Sequence, residues 1–199
     1  KAVVAAVESM TDEGYAFRVD LRLRPEGRSG ALILSLEGYR AYFADRAELW
    51  ERQALIKARL AAGDGAVAAR FFQLVRPFVF RPGLDEAIVA DVRRMKQEID
   101  RAQRAKGAER RNVKLGRGGI REVEFLAQAL QLLYAGDDPW LRGGNTLRTL
   151  FRLTERGYLS PGQGRMLGDA LVFLRNVEHR LQILHEFQTH TLPEDPRAL

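Results

Sequence analysis

The 199 residues carry 32 Lys and Arg against 26 Asp and Glu, a formal net charge of +6, with 46% apolar and 29% charged side chains and no cysteine. That composition belongs to a folded chain able to bury a core in one domain or two small ones, and it excludes a disulfide scaffold, a thiolate metal site and a cysteine nucleophile. The longest apolar runs, at 2–7, 31–34 and 170–174, fall far short of the roughly 20 residues needed to cross a bilayer. The positive balance favours anionic partners. Lys1 in place of Met, with no secretory apolar region behind it, leads us to expect a piece of something longer.

In chain order, the first pattern is alternation. Tyr15, Phe17, Val19, Leu21 and Leu23 fall at every second position between Gly14 and Pro25-Glu26-Gly27, which predicts a half-buried strand with Arg18, Asp20, Arg22 and Arg24 on its other face. A second strand is expected at 30–35. From Glu37 the period becomes helical, predicting helices over 37–45, 47–62, 65–76, 84–106, 119–135, 145–156 and 161–187. Ile88, Val92, Met95, Ile99 and Ala102 form one bundle seam, and Leu167, Ala170, Leu174, Val177, Leu181 and Leu184 another. Ala105–Arg111 reads as a polar, basic connection. The Arg81-Pro82-Gly83 break divides a mixed part, 1–82, from an all-helical part, 83–199. The expected fold is mainly α with a small β part.

Three constellations could carry chemistry. Asp20 with Arg18 and Arg22 puts a carboxylate between two guanidiniums on one strand face, a fragment of a phosphoryl-transfer site or simply a solvated charge ladder. Lys114-Leu115-Gly116-Arg117-Gly118-Gly119-Ile120-Arg121 places three glycines ahead of a helix start, where free amides favour an anion; a tight helix-entry turn with a basic surface fits the same residues. It is neither a Walker A loop nor a dinucleotide fingerprint. On the following helix Ile120, Val123, Ala127, Leu130 and Tyr134 form the buried stripe, while Arg121, Glu124, Gln128 and Gln131 form a polar one, suited to a cleft wall or to a helix contact. The third, Glu48, Arg52, Leu55 and Arg59, reads as ordinary surface salt bridging. Glu178, Gln182 and His185 read as a solvated face, and His179, His185 and His190 lack metal-ligand spacing. Basic residues interleaved with acids, with no aromatic platform, argue against nucleic acid.

Taken together, Val19-Asp20-Leu21-Arg22-Leu23-Arg24-Pro25-Glu26-Gly27, the run 50–59, Arg76-Pro77-Phe78-Val79-Phe80, the run 114–125, and the closing 174–182 and 188–193 resemble the glutamine synthetase adenylyltransferase family. The resemblance implies a C-terminal remnant of a polymerase-beta-like nucleotidyltransferase domain over 1–82, followed by a helical bundle domain over 83–199. Members are bifunctional: one half removes AMP from glutamine synthetase by phosphorolysis giving ADP, the other attaches it from ATP. Arg-Pro-Phe-Val-Phe, the 114–121 run and Gln-Thr-His-Thr-Leu-Pro are similar to the removing half. By the same resemblance Asp20 matches the third triad carboxylate and a Mg2+ ligand, with Arg22 and Glu124 catalytic. Arg24, Lys114, Gly118, Gly119, Arg121 and Glu122 are then the phosphate- or nucleotide-binding set. The triad's two earlier aspartates are not in this sequence, so the chain alone is expected to be inactive. Glutamine synthetase, a PII-type signal protein, ATP, ADP and phosphate are the implied partners, with no nucleic acid, no membrane and a cytoplasmic location. Two other readings stay open: the AMP-attaching half, and a noncatalytic helical docking module.

Overall fold

The computed structural model describes residues 2–14, 16–17, 19–27, 29–83, 86–104, 111–185 and 189–193. Its Cα packing forms two compact units, Lys1–Ala47 and Glu48–Leu199. The Arg81-Pro82-Gly83 break therefore lies inside the second unit.

The first unit holds two helices, α1 (Ala2–Glu8) and α2 (Leu36–Asp45), and a single 3-10 turn at Leu21–Leu23. Neither expected strand is present among the described residues. Thr11 and Gly14 make only an isolated bridge, and 30–35 pairs with nothing as a strand. Tyr15 and Arg18 lie outside the described residues. The physical reason is on the surface of the unit. A two-stranded ribbon needs a third strand or a helix over its apolar face, and Phe17, Leu23 and Ile33 stand mostly exposed. What organises the unit is Tyr42, its buried hydrophobic residue among those described. The Tyr42 hydroxyl accepts a hydrogen bond from the Glu26 amide (3.2 Å), Arg46 stacks over its ring, and Arg46 pairs with the Glu26 carboxylate at 2.6 Å. The α1 helix was not foreseen in the Ala/Val run.

The second unit contains α3 (Leu49–Ile56), α4 (Gly65–Val79), α5 (Glu86–Arg104), α6 (Ile120–Tyr134), α7 (Thr146–Glu155) and α8 (Pro161–His185), with a 3-10 turn at Pro139–Leu141. Side-chain caps set several starts. Asp64 accepts from the Ala66 and Val67 amides at α4, Asn145 accepts from the Arg148 amide at α7, and Ser160 and Gln163 bond reciprocally at α8. Pro77 sits in the last turn of α4, where it removes one helical amide bond, yet the helix runs three residues past its expected stop, with Phe78 and Val79 buried.

Helix α6 is central, packing on α3, α5, α7 and α8. Its foreseen stripe is in the core: Ile120, Val123 and Ala127 are buried with Leu141, Leu150, Leu153 and Leu171, and Leu130 and Tyr134 pack against them. Phe125, Ala129 and Leu132 are buried as well, so α6 hides most of its circumference. Gln131 corrects the expected polar wall. It is 1% exposed, and its amide donates to the Leu141 (2.7 Å) and Gly143 (2.9 Å) carbonyls, fixing the turn that leads to α7. In that turn Trp140 lies under two guanidiniums, Arg152 at 5.2 Å and Arg156 at 5.0 Å, and meets Phe151 edge-on. Of the α5 seam, Met95 is buried and Val92 half-buried; the side chains of Ile88, Ile99 and Ala102, that of Leu184, and the 105–110 connection lie outside the described residues.

Gly136 is where the 81–83 loop meets the end of α6. A β-carbon there would lie 1.8 Å from the Arg81 carbonyl oxygen, a backbone atom that cannot swing aside. Gly136→Ala is expected to destabilise the chain about as much as Leu153→Ala, whose cavity costs roughly 2–5 kcal/mol, whereas Phe151→Ala at an exposed site costs under about 1 kcal/mol. Urea denaturation of the three variants checks this ranking.

Candidate functional site

The glycine turn is built from Asn112. Its side-chain oxygen accepts from the Lys114 (3.0 Å) and Leu115 (2.7 Å) amides, and its carbonyl accepts from Gly116 (2.8 Å). Gly118 takes φ +74°, a conformation side chains resist, and gives its amide to the Glu122 carboxylate at 2.9 Å. Gly119 must be glycine for another reason, since a β-carbon would sit within 2.9 Å of the Val113, Lys114 and Gly116 carbonyls. Those carbonyls are close because they cap α6: Val113 accepts from Ile120, Lys114 from Arg121, and Gly116 from Gly119.

The amides that the spacing offered to an anion are thus spent within the turn. The charge that the turn presents is therefore carried by side chains. Arg117 and Arg121 are exposed beside it, and Lys114 is half-buried. Glu122 faces the other way from an anion-binding role in this geometry, holding the Gly118 amide and accepting from Lys96 of α5 at 3.2 Å. Burial opposes the Lys96 charge, but its bonds to Asp100 and Glu122 outweigh this and raise its pKa.

Glu124 is drawn into a network that sequence reasoning did not assemble. One of its oxygens accepts from both Lys57, at the end of α3 (2.8 Å), and Arg175 of α8 (2.9 Å). Arg175 donates on to Glu178 at 2.6 Å, and the second Glu178 oxygen lies 3.6 Å from the Lys114 ammonium and 3.0 Å from His190 Nδ1. The last contact misses hydrogen-bond geometry and leaves Nδ1 buried without a partner. The segment carrying His190 is itself tied to the turn: Val113 donates to the His190 carbonyl and Leu192 to that of Arg111, both at 2.8 Å, around an Asn112–Thr191 bridge.

Glu178 is 2% exposed, which overturns its reading as solvated surface. Arg52 is a second correction: it is 3% exposed, donates to the Val79 carbonyl at 3.0 Å, and burial, reinforced by Arg81, lowers its pKa to about 10. In both cases the helical wheel put the residue on a polar face correctly, but nothing in the spacing says that another element covers that face.

Lys57, Glu124 and Arg175 line a cleft of about 390 Å³ together with Asn145, Thr146, Leu147, Leu171, Val172 and Asn176. Asp20, Arg22 and Arg24 belong to the first unit. Asp20 caps the 3-10 turn and is chelated by Arg22, with Nε 2.9 Å and 3.1 Å from its two oxygens and Nη2 at 2.6 Å; this carboxylate raises the pKa of Arg22. Arg24 donates to the Gly30 (3.2 Å) and Leu21 (3.1 Å) carbonyls, bracing the intervening loop. The described residues hold no group of three or more metal-ligating side chains. One chelated carboxylate does not by itself make a Mg2+ site.

Residues 88–199 match the family model described as GlnD PII-uridylyltransferase, and residues 1–74 the model described as glutamate-ammonia ligase adenylyltransferase. Three curated relatives are each a bifunctional glutamine synthetase adenylyltransferase/adenylyl-removing enzyme. The one from Xanthobacter autotrophicus is 46% identical over 100% of this chain, that from Pseudomonas putida 45% over 96%, and that from Hahella chejuensis 42% over 97%. The chain belongs to the glutamine synthetase adenylyltransferase family. It spans 20% of the length of each of these relatives. Among the described residues no helix is long and apolar enough to cross a membrane.

The network makes stability depend on pH with a definite sign. Burial alone would raise the Glu178 pKa, but the Arg175 hydrogen bond and the charges of Arg175 and Lys114 bring it below its ordinary 4.5. Burial and the nearby Lys114 charge lower that of His190 below 6.5. Both groups bind protons more readily unfolded than folded, so both stabilise the fold above their unfolded values and lose that contribution as pH falls. Stability is expected to decline first below 6.5 and again below 4.5. His190→Asn should remove the first step and Glu178→Gln the second, read by denaturant titration across pH.

Proposed function

We propose that this chain is part of the half of a bifunctional adenylyltransferase that removes AMP from adenylylated glutamine synthetase by phosphorolysis. The observation that carries the reading is the meeting of two stretches resembling the removing half, Lys114–Arg121 and the segment through His190, on the buried carboxylate of Glu178. In this reading 1–82 is the C-terminal part of the nucleotidyltransferase domain and 83–199 the helical bundle domain, a division favoured by family matches that end at 74 and resume at 88.

In the proposed reaction an oxygen of inorganic phosphate attacks the AMP phosphorus. The bond to the tyrosyl oxygen breaks, that oxygen takes up a proton, and ADP is released. Lys114 and Arg121 supply positive charge of the kind such a transition state needs, with Gly118 and Gly119 shaping the turn that presents both. Asp20 holds the Arg22 guanidinium in a bidentate pair. Mg2+ would neutralise phosphate oxygens, with Asp20 one ligand among others that the described residues do not supply. Glutamine synthetase is the protein substrate, a PII-type signal protein the regulator, and the cytoplasm the compartment.

In the full-length enzyme, Asp20→Asn is expected to abolish phosphate-dependent ADP release from adenylylated synthetase while ATP-dependent labelling of unmodified synthetase continues. Lost labelling with intact ADP release assigns the chain to the attaching half instead. Arg121→Ala, at an exposed position, is expected to raise the KM for phosphate about tenfold, the loss of one charge-assisted contact, with an unchanged melting temperature; an unaltered KM refutes the contact.

A further inference from the structure

We propose that the cleft between α3, α6, α7 and α8 is a binding site for a small organic anion, one with a phosphate or carboxylate head and an apolar or ring-shaped body. The proposal is independent of which half the chain belongs to, because Lys57, Arg175 and Leu147 take no part in the ADP-release assignment.

The head-group end is already configured. Lys57 Nζ and Arg175 Nη2 converge from two different helices on one oxygen of Glu124, at 2.8 Å and 2.9 Å. Two cations meeting at a single carboxylate oxygen form a clamp for any similar oxyanion. The Glu124 side chain is 20% exposed, and Lys57 and Arg175 are 39% and 36% exposed, so all three reach the opening. Lys57, Arg175 and Lys114 against Glu124 and Glu178 leave the network as a whole with one positive charge. Arg175 is anchored from behind by buried Glu178, which keeps the guanidinium in place when a ligand arrives.

The apolar part of the lining adjoins these cations. Leu147, in the first turn of α7, is 43% exposed and lines the cleft with Leu171 and Val172. An exposed leucine and two cations lining one cleft of about 390 Å³ bring apolar surface for the body and convergent polar groups for the head into the same opening. Asn145 is not a free partner, since its side-chain oxygen caps α7, but that cap also fixes the wall's position.

The test is calorimetric titration of the chain with three probes: AMP, inorganic phosphate and hexanoate. Saturable binding of AMP or of hexanoate, tighter than that of phosphate, is the expected result; AMP alone identifies a nucleotide source, hexanoate alone an aliphatic carboxylate. Lys57→Gln should weaken binding about tenfold, by loss of one charge-assisted contact. Leu147→Glu should abolish it by setting a negative charge against the ligand. This substitution suits a helix first turn, so the melting temperature should hold. Binding of neither organic probe, phosphate bound as tightly as both, or affinity unchanged in the two variants overturns the proposal. Phosphorolysis by the full-length enzyme is a separate readout, so failure here leaves that assignment standing.

Discussion

The Glu178 carboxylate is the constraint on which the second unit's functional face depends. A buried, ionised carboxylate is costly unless several partners share its charge. Here Arg175, Lys114 and His190 gather around it from the same helix, the glycine turn and the segment after α8. Because Arg175 also reaches Glu124, and Glu124 reaches Lys57, one buried charge sets the positions of groups on α3, α6 and α8. The glycine turn is held by this network on one side and by the Asn112 and Glu122 side chains on the other. Its conformation thus follows from side-chain chemistry as much as from glycine freedom.

That arrangement changes what the turn is for. Glycine-rich entries to helices are often read as amide cradles for phosphate, but here neighbouring carbonyls and Glu122 consume the donors. The glycines let the backbone fold back closely enough for that self-capping. The consequence is a rigid platform that leaves Arg117 and Arg121 exposed at its surface. Exposed guanidiniums on a self-capped turn differ physically from free amides, because their exposed charge is screened by salt.

Much of the helical fold was legible because its signal is local and periodic. The 3.6-residue spacing of Ile120, Val123 and Ala127 and the Arg81-Pro82-Gly83 break needed no tertiary information, and seven of the eight helices among the described residues answer to expected segments. The strands failed for the opposite reason. Alternation from Tyr15 to Leu23 describes what a strand's faces would look like but not whether a partner strand is there to pair with, and Asp20 instead caps a 3-10 turn. The candidate site was half legible. Lys114, Gly118, Gly119, Glu122 and Glu124 all take part in the turn or its network. Lys57, Arg175, Glu178 and His190, separated by up to 133 positions, come together only through helix packing, which no spacing rule encodes.

The aromatic stack at the α6–α7 turn has an optical consequence. The two tryptophans, Trp50 and Trp140, both lie in the second unit, one donating its indole N–H to Glu48 and the other layered against Arg152 and Arg156. Tryptophan emission is therefore a built-in reporter of the helical unit alone, with the first unit spectrally silent at those wavelengths. Far-ultraviolet dichroism, which counts helices in both units, supplies the complementary signal, and any offset between the two melting curves measures how far the units unfold as one.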